Sequence, residues 1–487
     1  MIERVAFRAD ASKSIGTGHV MRSLALADAL RNKGIKTRFI CRNNEGNLDG
    51  VIAGRGHELV LLSEKNANFD DVELSARALS DGFDWLVVDH YELDATWEKK
   101  QKKYVDKILV IDDLANRPHI CDVLLDQNLF TNPEIRYSGL VNAESKKLFG
   151  PRYALLREEF KKLRQREKDP KAHIKKLLVF FGGGDYGNSI CRFLPALEQL
   201  SGLSIDIVES KNTSTRDELH AWCNMNPHVR LHDTTVNFSE LLAEADVAIG
   251  AGGATTWERC CLGLPAIVAG IAENQHEVAK AVAEYGAHLY LGPIEKLEYG
   301  VIDGTLRTLL ALPELRQHLA DKGRSLVDGD GVERVLSHLM SASNMEVRLA
   351  TLADSGKIFN WRNDPSTRKF FINPGPIEEK DHYDWFSDSL NNPDRVILVG
   401  EESGEEIGVV RYDIKGDQAD ISIYLNPEKR GRRLGRGLLE AGNQWLAIHH
   451  PEIRRLNGRV HPENISSKKM FSEAGFICYL NRYVYDL

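Results

Sequence analysis

The chain has 487 residues, with 71 acidic against 63 basic side chains for a net charge of −8. At roughly 150 residues per domain that length predicts about three domains. The mild acidic excess, spread without long single-sign blocks, argues against a nucleic-acid or anionic-membrane surface and for small-molecule partners. Seven cysteines at 41, 121, 191, 223, 260, 261 and 478 form no CxxC pair, which argues against a disulfide framework and a zinc site. The start MIERVAFRAD lacks a signal-like apolar core, and no apolar run approaches about 18 residues, so a cytoplasmic protein is expected.

From residue 4 to about 130, the runs RVAFRAD, KTRFI, HELVLL, WLVVDH, KILVIDD and DVLLDQN read as strands that alternate with helical patterns. Such alternation predicts a doubly wound parallel sheet. Within it, SIGTGHVMR (14–22) joins the first strand to a helix patterned by Val20, Leu24, Ala27 and Leu30. A glycine-rich strand-to-helix turn brings backbone N–H groups to an anion, and this one also presents the imidazole of His19. The charged stretch 157–173 reads as a solvated connecting helix that closes a first domain over 1–165.

A second alternating series, KKLLVFFGGG, LSIDIVES, VRLHDT, DVAIGAGG and PAIVAG, fills 166–340. Two such domains form a cleft at the carboxyl ends of their strands. GAGGATTWERCCLGLP (250–265) repeats the strand, turn and helix logic: Gly252 and Gly253 allow close approach, Thr255 and Thr256 can donate to phosphate oxygens, and Glu258 suits ribose hydroxyls. Read alone, this loop is as well explained by a tight turn with a solvated Glu258. After the short SASN stretch (341–344), consecutive strands EVRLAT, RVILVGEE, EIGVVRYDI and ADISIYLNP imply antiparallel pairing and a different third domain over 345–487.

The ordered set FRADASKSIGTGHVMR, VVDHYELD, DDLANRPHICDVLLDQN, YALLREEF, FFGGGD, GGATTWERC and ENQHEVA resembles the UDP-2,4-diacetamido-2,4,6-trideoxy-β-L-altropyranose hydrolases of bacterial pseudaminic acid synthesis over about 1–340. Its glycine motifs are shared with GT-B glycosyltransferases. The resemblance implies a GT-B-like pair of Rossmann-like α/β domains that bind UDP mainly through the second, at Gly183, Gly252, Gly253, Thr255, Thr256 and Glu258, and pass the sugar to water. His19 then matches the catalytic base, as an imidazole titrating near neutrality suits. Arg8, Asp10, Gly18, Asp89, Tyr91, Asn274 and Gln275 match positions around the sugar or diphosphate, while His90, His119 and His276 read as structural. No metal is expected.

In the third domain, YLNPEKRGRRLGRGLLEAG (424–442) sets a basic glycine turn before a helix, and HPENISSKKMFSEAGF (461–476) follows a strand. Glycine N–H groups and arginines converging on a helix start suit a diphosphate. Together these segments resemble GNAT N-acetyltransferases, α+β enzymes that bind acetyl-CoA. That resemblance implies coenzyme contacts at Leu425, Arg432, Arg433, Leu434, Gly435, Arg436, Gly437, Asn464 and Phe471. Where many GNAT enzymes carry a tyrosine acid, this chain has Phe471; Tyr479, Tyr483 or a water could serve instead. Trp361, Arg362, Asn363 and His382 resemble segments lining the acceptor side, and read equally well as packing and surface residues.

The two resemblances name consecutive steps: acetylation of the 4-amine of a UDP-4-amino-4,6-dideoxy-N-acetyl sugar, then release of UDP by hydrolysis. The alternative is a GT-B glycosyltransferase fused to a GNAT domain that acetylates another amine, such as a protein N-terminus.

Overall fold

The computed structural model describes residues 2–12, 16–62, 70–166, 168–184, 186–200, 202–209, 215–233, 237–340, 345–371, 373–402, 404–431, 434–474, 476–479 and 482–486. The chain divides into two compact units, Met1–Met340 and Ser341–Leu487. The first holds two parallel sheets.

Strands β1 (Arg4–Ala9), β2 (Lys36–Arg42), β3 (Glu58–Leu62), β4 (Phe83–Asp89), β5 (Val105–Ile111), β6 (Val123–Asp126) and β7 (Lys146–Phe149) order as β3-β2-β1-β4-β5-β6-β7. β1 pairs in parallel with both β2 and β4. Strand order therefore reverses beside β1, and the crevice between the carboxyl ends of β1 and β4 is where such a sheet receives a ligand. The apolar runs expected to form strands do so, and β7 is an additional edge strand beyond those six runs.

The second sheet joins β8 (Lys176–Phe180), β9 (Ser204–Glu209), β10 (Val229–Asp233), β11 (Val247–Ala251), β12 (Ala266–Gly270) and β13 (Leu289–Pro293) in the order β10-β9-β8-β11-β12-β13. Its reversal lies between β8 and β11, whose carboxyl ends carry FFGGG and AGGATT. Both crevices thus fall on the glycine-bearing turns.

The lobe boundaries follow packing and depart from the charge pattern. The stretch 157–173 is not a solvated helix: among its described residues only Glu158–Leu163 is α-helical, and Phe160 and Leu163 are buried in the second lobe's core beside Trp257 and Cys261. Burying one such aromatic stabilises the fold by about 1.5–3 kcal/mol, more than the surrounding exposed charge pairs offer. Conversely, the helix Gly331–Met340 returns to the first lobe, where Val332, Val335, Leu336 and Leu339 share a core with Val20, Leu24 and Leu155. A Cβ on Gly331 would stand 2.2 Å from the Ala154 carbonyl oxygen, so only glycine lets these two crossings of the chain touch.

The second unit is one mixed sheet of β14 (Met345–Leu349), β15 (Arg395–Glu402), β16 (Glu405–Lys415), β17 (Gln418–Leu425), β18 (Arg455–Arg459), β19 (Ile477–Tyr479) and β20 (Arg482–Asp486), ordered β14-β15-β16-β17-β18-β20-β19. Its first four strands pair antiparallel in succession, as their short connections require. β17 and β18 run parallel, and their pairing ends at Ile421 and Gly458. The last residues of β17, up to Leu425, therefore have no β18 partner. Among the described residues no helix is long and apolar enough to cross a membrane.

Candidate active site

His19 lies in the first turn of the helix Gly18–Asn32, which leaves β1 at the crevice. It is 6% exposed, and its Nδ1 lies 2.6 Å from Oδ1 of Asp89, the last residue of β4. Arg22, one helical turn on and facing the same way, donates Nε to Asp89 Oδ2 and Nη2 to Oδ1, both at 2.6 Å. Burial alone would raise the Asp89 carboxyl; the Arg22 guanidinium and His19 outweigh it and hold the group well below the ordinary carboxylate range. A fixed anion on Nδ1 selects the tautomer that leaves Nε2 as the proton acceptor.

Tyr91 closes one side of the imidazole edge-on, with ring centroids 4.4 Å apart. Its hydroxyl accepts from Asn274 Nδ2 of the second lobe at 3.3 Å. Gln275 lies against the glycine loop, where a Cβ on Gly253 would meet its Nε2 at 3.6 Å and one on Gly252 its Cβ at 3.5 Å. A Cβ on Gly183 would come within 2.7 Å of Thr17 Oγ1, so the FFGGG turn abuts the GTGH turn only because it lacks a side chain. Residues read separately from both lobes, namely His19, Tyr91, Gly183, Gly252, Gly253, Asn274 and Gln275, are thus brought to one crevice.

Other expected contacts are placed differently. Arg8 is 0% exposed, and its guanidinium is taken up by Asp10 at 2.6 and 2.9 Å and by Asp71 at 2.7 Å. Asp10 further accepts from the Arg42 backbone N–H at 2.7 Å and meets His90 Nε2 at 3.0 Å. Both side chains, expected around the sugar or diphosphate, form a buried network that braces the ends of β1 and β2. Asp89, expected on the substrate, is instead the partner of His19 and Arg22. His119 is buried against Glu98 at 2.6 Å and His276 meets the Tyr290 hydroxyl at 2.7 Å, both in structural positions.

Arg22 and Asp113 were missed by sequence reasoning. Arg22 stands three residues beyond His19, a spacing that marks one helix face. Asp113, just past β5, lies 3.3 Å from Arg22 Nη1, and nothing in its DDLA context separates it from a turn residue.

In the second lobe, Thr255 and Thr256 open the helix Thr255–Leu262, and Thr256 Oγ1 accepts from Arg259 Nη2 at 3.0 Å. Arg259 also donates to the Ala251 carbonyl at 2.8 Å, fixing the loop from beneath. Glu258 is half-buried beside Arg157 at 3.4 Å, and burial raises its carboxyl pKa.

In the second unit, Leu434, Gly435, Arg436 and Gly437 form the first turn of the helix Leu434–His449, with Arg436 paired to Glu440 at 2.6 Å. Arg432 and Arg433 lie outside the described residues, as do the side chains of Tyr479 and Tyr483. Asn464 caps the helix Ile465–Glu473, its Oδ1 accepting the Ser467 N–H at 3.0 Å. Phe471, expected against the coenzyme, is a core residue: it is 3% exposed, edge-on to Phe476, and a Cβ on Gly458 would lie 2.6 Å from its ring. His382 is likewise core, stacked on Phe386 with Nε2 at the Ser355 carbonyl. Among the described residues no group of three or more His, Cys, Asp or Glu is placed to hold a metal ion.

A pair of doubly wound lobes with a histidine–aspartate pair at the crevice, followed by a mixed sheet whose parallel strands β17 and β18 part before a glycine turn, makes two Rossmann-like domains joined to an acetyltransferase-type domain. Residues 344–477 match the family described as Acetyltransferase (GNAT) domain. The chain is 28% identical over 284 residues to the UDP-2,4-diacetamido-2,4,6-trideoxy-beta-L-altropyranose hydrolase of Campylobacter jejuni, covering 58% of this chain and 97% of that one. It is 26% identical to the spore coat polysaccharide biosynthesis protein SpsG of Bacillus subtilis, over 70% of this chain and 99% of that one. An uncharacterized protein of Methanocaldococcus jannaschii is 23% identical over 97% of this chain and 96% of its own. A part similar to the hydrolase and to SpsG is therefore fused to a C-terminal GNAT domain.

Proposed function

We propose that the chain is a bifunctional enzyme of UDP-sugar metabolism. The C-terminal unit transfers acetyl from acetyl-CoA to the 4-amine of a UDP-4-amino-4,6-dideoxy-N-acetyl sugar. The N-terminal unit then hydrolyses the resulting UDP-2,4-diacetamido-2,4,6-trideoxy-β-L-altropyranose to UDP and free sugar. The observation that carries the hydrolytic half is the His19–Asp89 pair at 2.6 Å, anchored by Arg22 in the crevice of the first sheet. The hydrolase-named relative supports the choice of water as acceptor.

In this reading His19 Nε2 takes a proton from water as the water oxygen attacks the anomeric carbon. The bond from that carbon to the diphosphate oxygen breaks, and its electron pair leaves with UDP. Asp89 stabilises the imidazolium that forms. Backbone N–H groups at the start of the helix Thr255–Leu262, the Gly252–Gly253 turn and the hydroxyls of Thr255 and Thr256 receive the diphosphate charge. Glu258 receives the ribose hydroxyls, and Asn274 and Gln275 the sugar. In the C-terminal unit the amine attacks the thioester carbonyl directly, the C–S bond breaks, the thiolate takes up a proton and the amine loses one. Leu425, Asn464 and the turn through Arg432, Arg433 and Leu434 to Gly437 hold the coenzyme.

The test supplies full-length protein with UDP-4-amino-4,6-dideoxy-N-acetyl-β-L-altrosamine in water, following UDP with and without acetyl-CoA. Acetyl-CoA-dependent UDP release with an acetylated free sugar is the expected result. Accumulation of intact acetylated UDP-sugar overturns the hydrolase in favour of a glycosyltransferase, and acetylation of a peptide in preference to the sugar overturns the acceptor.

A further inference from the structure

On the helix Ser355–Asn363, Arg362 carries donors that the protein leaves unfilled. Its guanidinium carbon lies 3.7 Å over the centre of the Phe371 ring, and Nη2 donates to the Asn373 carbonyl at 3.2 Å. Nη1 is buried without an acceptor. The Phe371 ring meets Tyr424 edge-on at 5.7 Å. Arg411 is itself taken up by Asp413 at 3.0 Å, which also receives Arg395 at 2.5 Å. Burial pushes the Arg362 guanidinium below its ordinary value against the opposing influence of Tyr424, and the like charges of Arg411 and Arg368 add to the lowering.

A half-buried cation with an unfilled donor and like-charged neighbours is costly unless an anion arrives to meet it. Stacking on Phe371 fixes the plane of the fork, which is the geometry that receives two phosphate oxygens at once. The place in the fold says which substrate brings that anion. Tyr424 lies on the part of β17 beyond its last pairing with β18, one residue before Leu425. The diphosphate of the coenzyme is already assigned to the turn that follows, so this cluster is left for the second substrate.

We propose that Arg362, stacked on Phe371 beside Tyr424, forms an anion site in the C-terminal unit that takes the diphosphate of a nucleotide-linked amine. The identity of the amine rests on the acceptor reading above; the anion site rests on the geometry. A peptide N-terminus would have no group for it.

The test uses full-length protein and two readouts. In the first, CoA release with the UDP-linked amine gives a KM raised at least about tenfold by Arg362→Met, with the KM for acetyl-CoA within about twofold of wild type and partial recovery in Arg362→Lys, which keeps the charge without the fork. In the second, phenylglyoxal labelling of the peptide containing Arg362 is suppressed by UDP. Unchanged KM together with no protection overturns the anion site even where the sugar is acetylated. Protection by UDP in a protein that acetylates no nucleotide sugar upholds the anion site and overturns the acceptor reading.

Discussion

Replacing Asp89 by Asn keeps shape and removes charge where the most is asked of it. Asp89 is 1% exposed and takes three contacts at 2.6 Å, one from His19 and two from Arg22. Removing one member of a buried charge pair costs about 3–5 kcal/mol, a large part of a net stability of about 5–15 kcal/mol. The imidazole also loses the anion that sets its tautomer, so UDP release should fall about 10²- to 10⁴-fold, the range ascribed to a general base. Stability should change with pH in a defined sense. The folded carboxyl is held well below its unfolded value of about 3.9, so its contribution is complete above about pH 5 and is lost progressively as pH falls from there through the far lower folded value. Melting curves at neutral and acid pH, with UDP release at saturating substrate, measure both effects. The control is Arg22→Met, which loosens the same carboxylate yet leaves the Nδ1 contact, and should cost stability with far less loss of turnover. An Asp89→Asn protein with wild-type turnover would refute the role given to the pair.

Asp126, which burial pushes up to about 7 against the opposing Arg136 at 2.7 Å, takes up a proton on folding; stability should therefore decline from about pH 4 to about pH 7, by up to about 4 kcal/mol, and titration of the melting temperature in Asp126→Asn should lack that slope. Phe471→Ala opens a cavity in the C-terminal core and should cost that unit about 3–5 kcal/mol, abolishing acetyl transfer at temperatures where UDP release from a pre-acetylated substrate continues. Gly183→Ala drives a methyl into Thr17 and should lower kcat/KM for UDP release, with Thr17→Gly restoring it; failure of that rescue separates the turn contact from a general loss of fold. Asn274→Ala removes one exposed cross-lobe hydrogen bond, worth at most about 0.5–1.5 kcal/mol, and should raise the KM for the UDP-sugar while lowering the melting temperature by no more than a few degrees.

The parts of this molecule legible in its sequence are those written in one stretch of chain. β1 to β6 and β8 to β12 announce themselves as apolar runs, and the glycine turns as their sequels, because a buried parallel strand needs little beyond its own residues. The edge strands β7 and β13 were passed over: Lys146–Phe149 is charged at its start, and Leu289–Pro293 contains Gly292 and Pro293, so their pairing comes from a neighbour. Side-chain partnerships were less legible still. Arg8, on β1, and Asp10, just past its end, are two residues apart in extended chain, hence on one face, and they satisfy each other where a substrate was expected. Asp89 meets His19 across 70 positions of sequence, and nothing in VVDHY says whether that carboxylate turns to a ligand or to an imidazole. The charged run 157–173 misled because composition reported its exposed flank while Phe160 and Leu163 decided where it docks.

The contact of Gly331 with Ala154 has a mechanical meaning. The chain passes between the two lobes once near residue 154 and again near residue 331, and these two passages touch. Two connections a few ångströms apart behave as the adjoining pins of a door: they resist translation of one lobe past the other and leave swinging about the pins as the compliant motion. The Asn274–Tyr91 bond and the Gly183–Thr17 approach then form the latch side, where the swing would open a path for a nucleotide sugar. The helix beginning at Gly331 stays bolted to the lobe that carries His19, so it belongs to the door frame and the leaf swings without it.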